Sequence, residues 1–173
     1  MILENIYNSV LKPKFNRGGL WTYGEVIEHI SPFFKDCKSV LDIGSGVGKF
    51  CLLSAALNKD TNFVGVEIFE EYYNEAVRIK EHLDIKNANF INDDFRSLNL
   101  DVYDGFYIFN PFPMNIYGED RMKCEIAFRK GLEDRRVGTK LVIFNPFCET
   151  PNGYKLVVSK FISSHCNFYI KES

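Results

Sequence analysis

Residues 40–50 run Val40-Leu41-Asp42-Ile43-Gly44-Ser45-Gly46-Val47-Gly48-Lys49-Phe50, and residues 63–67 run Phe63-Val64-Gly65-Val66-Glu67. The first apolar run carries an acid, and a glycine-rich turn follows it. An amphipathic stretch comes next, then a second apolar run that ends in Glu67. This order predicts a strand, a glycine loop, a helix and a second strand with a carboxylate at its tip. It constrains the chain more than any other feature, because such a unit builds one half of an open α/β sheet and binds an adenosine-containing cofactor.

The remaining runs extend that sheet. Helices are expected at 5–14, closed by Pro13, and at 23–34, where Pro32 should distort the last turn. Arg17-Gly18-Gly19 reads as a flexible connector between them. Strands are expected at 39–43, 62–67, 88–91, 103–109 and 138–144, with helices at 48–58, 70–83 and 118–134 between them. Strands that alternate with helices predict an α/β fold: a Rossmann-like three-layer sandwich with a mostly parallel central sheet. Residues 154–161 fit either period. Tyr154, Val157, Val158 and Phe161 suit a helix, whereas Tyr154, Leu156 and Val158 suit a strand. The helix is preferred, with a final strand at 167–170.

A length of 173 residues suits one domain with a single sizeable core, and residues 1–35 read as a helical and loop cover on it. The 16 Phe point to a Phe-rich core. The net charge is −2, and no run of Lys or Arg is longer than Arg135-Arg136, so a strong sequence-independent grip on nucleic acid is not expected. The five cysteines, at 37, 51, 124, 148 and 166, have neither metal nor redox spacing, which suits a reduced, cytoplasmic chain. Cys51 reads as a small buried apolar residue. Met1-Ile2-Leu3 runs at once into Glu4 and Asn5, unlike a signal peptide, and no apolar run could span a bilayer.

Within the cofactor unit the glycines let the backbone turn tightly and approach a ligand, and Ser45 lies among them. The N–H groups that open the next helix can meet an anion, here a methionine carboxylate. Glu67 can accept from both ribose hydroxyls. Asp94 and Phe95 follow the third strand: the acid can accept from an adenine amine and the ring can stack on the base. A nicotinamide dinucleotide site would place its third glycine three residues after the second, where Lys49 stands. Gly48 and the Asp94-Phe95 pair therefore favour S-adenosyl-L-methionine.

The fourth strand ends in Asn110-Pro111-Phe112-Pro113 and the fifth in Asn145-Pro146-Phe147-Cys148. The second copy reads as a strand stop. The first stands where amino-methyltransferases carry an Asn-Pro-Pro-aromatic signature. The Asn110 carbonyl can accept a target N–H and aim the nitrogen lone pair at a methyl group. Phe112 can exclude water. The second proline of the adenine-modifying enzymes is missing, which makes adenine a poorer acceptor here.

Tyr23-Gly24-Glu25, the glycine loop, Gly65-Val66-Glu67 and Asp94-Phe95 together give a closer likeness. Residues 20–115 resemble the non-SET histone-lysine methyltransferases (the disruptor-of-telomeric-silencing family) and their small prokaryotic relatives. The resemblance implies that Tyr23 and Glu25 fold over the methionine end. It implies that Asp42, Gly44 and Gly46 line the methionine, that Glu67 holds the ribose, and that Asp94 and Phe95 hold the adenine. Asn110 would stand beside the acceptor lysine channel; Asn110, Phe112 and Tyr23 are the expected catalytic residues, and Asn110 and Tyr23 are expected to contact the donor as well. The chain departs from the family at Val26, Lys49 and Pro111, where Thr, Gln and Asn are usual. It has no counterpart of the family's basic nucleosome-binding extension, so chromatin is not the expected partner.

His29, His82 and His165 have no Cys or acid at metal spacing, so no metal site is expected. Tyr107 reads as core, Tyr117 as a loop residue near Asn110, and Cys148 and Glu149 as plain loop. The expected function is transfer of a methyl group from S-adenosylmethionine to a nitrogen, a protein lysine first. The alternatives are a small-molecule amine or hydroxyl methyltransferase and a non-catalytic S-adenosylmethionine-binding protein. A nucleotide oxidoreductase is more remote.

Overall fold

Short apolar runs bounded by turn residues pair edge to edge because pairing satisfies their backbone N–H and C=O groups. The computed structural model describes residues 2–15, 22–112, 118–144, 149–162 and 164–173. Strands β1 (Ser39–Ile43), β2 (Asn62–Glu67), β3 (Ala88–Asn92), β4 (Gly105–Phe109) and β5 (Lys140–Phe144) are all parallel. Two further strands, β6 (Tyr154–Ile162) and β7 (Ser164–Lys171), complete the order β3-β2-β1-β4-β5-β7-β6. The order reverses between β1 and β4, the switch point at whose carboxyl end open α/β sheets bind their ligands.

Side chains alternate across the sheet. Val40, Tyr107 and Val142 face one core, with Ile27, Phe34, Phe50 and Ile79. Leu41, Ile43, Phe106, Ile108 and Ile143 face the other, with Phe128 and Leu132. Helices α1 (Ile2–Val10), α2 (Gly24–Ile30), α3 (Lys49–Leu57) and α4 (Glu70–His82) supply the first core. Helix α5 (Asp120–Glu133) supplies the second. This is the expected three-layer α/β arrangement. The phenylalanines make both cores, and Phe50 stacks on Tyr107 with ring centroids 3.7 Å apart.

Helix α3 is buried from Lys49 through Ala55, so it has no solvent face over that stretch. The sheet covers one side, and α1 and α2 pack on it from outside. Proline sets the limits of the covering helices. Helix α2 stops at Ile30 and tightens into a 3₁₀ turn at Ser31–Phe34, where Pro32 cannot donate an N–H. Helix α1 ends at Val10, before the 3₁₀ turn Pro13–Phe15.

The expected helix at 154–161 is wrong: this stretch is β6. A parallel sheet ending at β5 would leave that strand's outer edge unpaired. Strand β7 fills it antiparallel, from Lys140↔Ile170 to Phe144↔Cys166, and β6 pairs on β7 in a hairpin. A register shift between Leu156 and Val158 breaks the two-residue alternation, which is why the sequence also fitted a helical period. Among the described residues, no helix is long and apolar enough to cross a membrane. The Arg17-Gly18-Gly19 connector, Pro113, Tyr117 and Asn145-Pro146-Phe147-Cys148 lie outside the described residues.

Candidate cofactor and acceptor site

The loop after β1 takes a path that only glycine follows easily. Gly44, Gly46 and Gly48 have φ of 75°, 54° and 78°. Gly44 and Ser45 donate their N–H groups to the Val66 carbonyl, at 3.0 and 3.1 Å, so the loop is tied to the end of β2. Gly46 donates to Glu67 Oε2 and Phe69 N–H donates to Glu67 Oε1, each at 2.9 Å. Burial raises the pKa of Glu67, and these backbone donors oppose that shift. A carboxylate with one N–H on each oxygen keeps lone pairs for ligand hydroxyls.

The other loop residues divide between lining and packing. A Cβ on Gly48 would stand 2.4 Å from Phe90 Cζ and 3.0 Å from Ala76 Cβ, so this glycine lets α3 close on β3 and α4. Ser45 rests on Gly65, and its buried Oγ has no hydrogen-bond partner among the described residues. Asp42 is buried beneath the loop and accepts from the Cys51 thiol at 3.6 Å. Burial, with the Glu67 charge adding to it, pushes Asp42 up to about 8.

At the tip of β3, Asp94 caps a 3₁₀ turn, accepting the Arg96 N–H at 2.9 Å. The Arg96 guanidinium also grips this carboxylate, with Nε 2.9 and 3.0 Å from its two oxygens. That bond holds Asp94 below the usual carboxylate range. The acid expected to meet adenine thus already has a cationic partner two residues on. Phe95 is buried, and its ring lies 5.4 Å from that of Phe112.

At the tip of β4, Asn110 is exposed and has φ of 45°, a left-handed conformation uncommon outside glycine. Pro111 and Phe112 behind it are buried. The backbone twist turns Asn110 outward while its two successors pack inward.

Tyr23 precedes α2 and is 49% exposed; Glu25, in the first turn, is also exposed. Between them, the Gly24 N–H donates to Glu4 Oε1 at 2.9 Å. Lys49 Nζ donates to the same oxygen at 2.6 Å. Thr22 Oγ1 and the Tyr107 hydroxyl share a buried hydrogen bond of 2.5 Å. The Tyr7 hydroxyl donates to the Val47 carbonyl, inside the glycine loop, at 3.0 Å. Sequence reasoning missed Glu4, Tyr7, Thr22 and Lys49 at this site, and no local pattern marks them. Their partners are 20 to 85 residues away. It also missed Ile68 and Phe69, two exposed apolar residues beside Glu67.

Residues 34–116, from the end of the 3₁₀ turn after α2 to beyond Asn110, match a family model described as a methyltransferase domain. That match spans just under half of the chain. The chain is similar to the tRNA (guanine-N(7)-)-methyltransferase of Rubrobacter xylanophilus, with 34% identity over 58 residues. That stretch is 34% of this chain and only 26% of the relative.

Two solved methyltransferases share the fold. An RNA methyltransferase from Salinibacter ruber, in complex with S-adenosyl-L-homocysteine, superposes with a TM-score of 0.65 at 16% identity. The match covers 89% of this chain and 95% of that one. The Synechocystis magnesium protoporphyrin IX methyltransferase, with bound S-adenosylmethionine, gives 0.64 at 14% identity and covers 99% and 96% of the two chains. The residues at the tips of β1 and β2 in this chain fit that donor. Glu67 keeps lone pairs at the β2 tip, and the loop beside it turns on three left-handed glycines. The buried Ser45 Oγ is left without a hydrogen-bond partner among the described residues.

Proposed function

We propose that the chain transfers a methyl group from S-adenosylmethionine to a nitrogen acceptor, with the side-chain amine of a protein lysine as first choice. One observation carries the nitrogen: Asn110 is held in a left-handed conformation at the β4 tip, with Pro111 packed on Gly44 of the cofactor loop. An amide oxygen there can accept an acceptor N–H and leave the nitrogen lone pair free to face the methyl. When bound, S-adenosylmethionine supplies an electrophilic methyl: the lone pair forms the N–C bond, the C–S pair stays on sulfur, and the surplus proton passes to water. Glu67 orients the donor by its ribose, and Asp94 and Phe95 hold the adenine. Tyr23 and Glu25 close the methionine end, beside Asp42, Gly44, Ser45, Gly46 and Gly48. Phe112, packed on Phe95, keeps water from the reacting atoms. The lysine rests on Tyr23-Gly24-Glu25 and on the resemblance to non-SET lysine methyltransferases.

A second reading, a base nitrogen of RNA, is favoured by the likeness to the tRNA methyltransferase. The modest charge of this chain and its lack of a basic run speak against a tight grip on such a substrate. Both readings are tested by incubating the full chain and methyl-labelled S-adenosylmethionine with cell lysate, then treating samples with protease or ribonuclease. Protease-sensitive label is expected. Ribonuclease-sensitive label would replace lysine with RNA. Label confined to small molecules would replace it with a free amine or hydroxyl. Binding without any transfer would make the chain a sensor of the cofactor.

A further inference from the structure

Helix α1 reaches the cofactor loop at two points. Tyr7 donates to the Val47 carbonyl, and Glu4 takes the ammonium of Lys49, the first residue of α3. The Glu4 oxygen that takes Lys49 also takes the N–H of Gly24, the residue between Tyr23 and Glu25. The Lys49 and Glu4 side chains are only 10% and 15% exposed. Burial by itself would raise the Glu4 carboxyl; the Lys49 ammonium and the Gly24 N–H outweigh it and hold it below its ordinary value.

The same contact explains why residue 24 is glycine. Its φ is not left-handed, so no turn demands it. A Cβ there would instead stand 2.3 Å from Glu4 Oε2 and 2.6 Å from Glu4 Cδ. Glycine makes room for the carboxylate. The segment that follows α1 is pinned as well: Lys12 N–H donates to the buried Glu75 at 3.0 Å, and Arg78 reaches the Val10 carbonyl. Helix α1 is therefore a fixed strut, anchored on α4 and reaching across to the glycine loop.

Resting on the cofactor reading above, we propose that Glu4 is a positioning residue. It ties Lys49, at the start of α3, to Gly24, and so sets Tyr23 and Glu25 over the methionine end before a ligand arrives. The bridge acts at one end of the cofactor only. The residues proposed for ribose and adenine lie at the end of β2 and in the turn after β3, and no Glu4 contact reaches them among the described residues.

The test is calorimetry on the full chain with two ligands: S-adenosylmethionine, and 5′-methylthioadenosine, which keeps the adenosine and sulfur but lacks the amino-acid end. Glu4→Ala leaves a buried ammonium unpaired and a backbone N–H unmet, so S-adenosylmethionine should weaken about tenfold or more. Binding of 5′-methylthioadenosine should stay unchanged. Gly24→Ala should weaken S-adenosylmethionine in the same way, and should cost less in the Glu4→Ala background, where the two closest contacts are gone and only the 2.9 Å approach to the Cβ of residue 4 remains. If Glu4→Ala does not fold, the Glu4→Gln/Lys49→Met pair removes both charges and is read in the same way. Equal weakening of both ligands, or no weakening of either, overturns the proposal. Failure of the cofactor reading looks different: the wild-type chain binds neither ligand, and the proposal falls with it.

Discussion

Pro111 packs directly on Gly44: a Cβ built on that glycine would stand 3.2 Å from both Cα and Cβ of Pro111. The contact crosses the switch point of the sheet and joins the loop after β1 to the tip of β4. Any side chain at position 44 meets both a left-handed backbone and this neighbour. Gly44→Ala should therefore lower stability by roughly 1–2 kcal/mol from backbone strain alone. It should also weaken S-adenosylmethionine. Urea unfolding and calorimetry measure the two effects, and an unshifted urea midpoint would show that the loop relaxes freely.

Asn110 allows side chain and backbone to be tested apart. Asn110→Ala removes the amide and puts Ala at φ of 45°; Asn110→Gly removes the amide and suits that φ. Both should lower kcat about a hundredfold, the scale of losing acceptor alignment. Affinity for S-adenosylmethionine should barely move. Parallel loss of turnover and cofactor affinity would place Asn110 in the cofactor site rather than at the acceptor.

Glu67 holds the loop and keeps lone pairs for the ribose. Glu67→Gln replaces one carboxylate oxygen by an NH₂ that must face either the Gly46 or the Phe69 N–H. Donor would meet donor. A loss of about ten- to a hundredfold in S-adenosylmethionine affinity is expected, the scale of a hydrogen bond to a charged group. Calorimetry on the variant measures it, and unchanged binding would remove Glu67 from the ribose.

Asp42 predicts a pH dependence of stability. Its pKa is raised, by burial first and by the Glu67 charge as well, from the ordinary 3.8 to about 8. Between those values the folded state holds a proton that the unfolded state has lost, so this group's contribution shrinks as pH rises. Its stabilising share is full below the ordinary value and gone above about 8. Asp42→Asn cannot ionise. The stability of the wild type relative to this variant should fall steadily across that window and level off above it. Urea midpoints taken across the range give the difference, and a flat difference would mean that Asp42 is already ionised at neutral pH.

Much of the sheet was legible in the sequence, because strands β1 and β2 are apolar runs with sharp turn signals at both ends. Their observed limits, Ser39–Ile43 and Asn62–Glu67, are the expected ones. The hairpin β6–β7 was not legible. Both periods fit residues 154–161, and the deciding fact was the open edge of β5, which no local window contains. Site residues followed the same division. Gly44, Gly46 and Gly48 announce left-handed turns, and the structure has them, yet Gly48 also serves the packing of Phe90 and Ala76. Asp94 stands at the expected tip, and its clasp by Arg96, two residues on, had not been anticipated.

The sequence by itself determined the strand–glycine loop–helix–strand unit and the acid at its tip. Period, turn residues and glycine conformation act within a few bonds of one another, so they can be read in a short window. Only the tertiary structure decided what Glu4, Gly24 and Lys49 are for. Gly24 and Lys49, distant in the chain, meet on one oxygen of Glu4 because α1 packs on the side of α3 away from the sheet. Burying a charge demands a partner, and the fold alone brings that partner within reach.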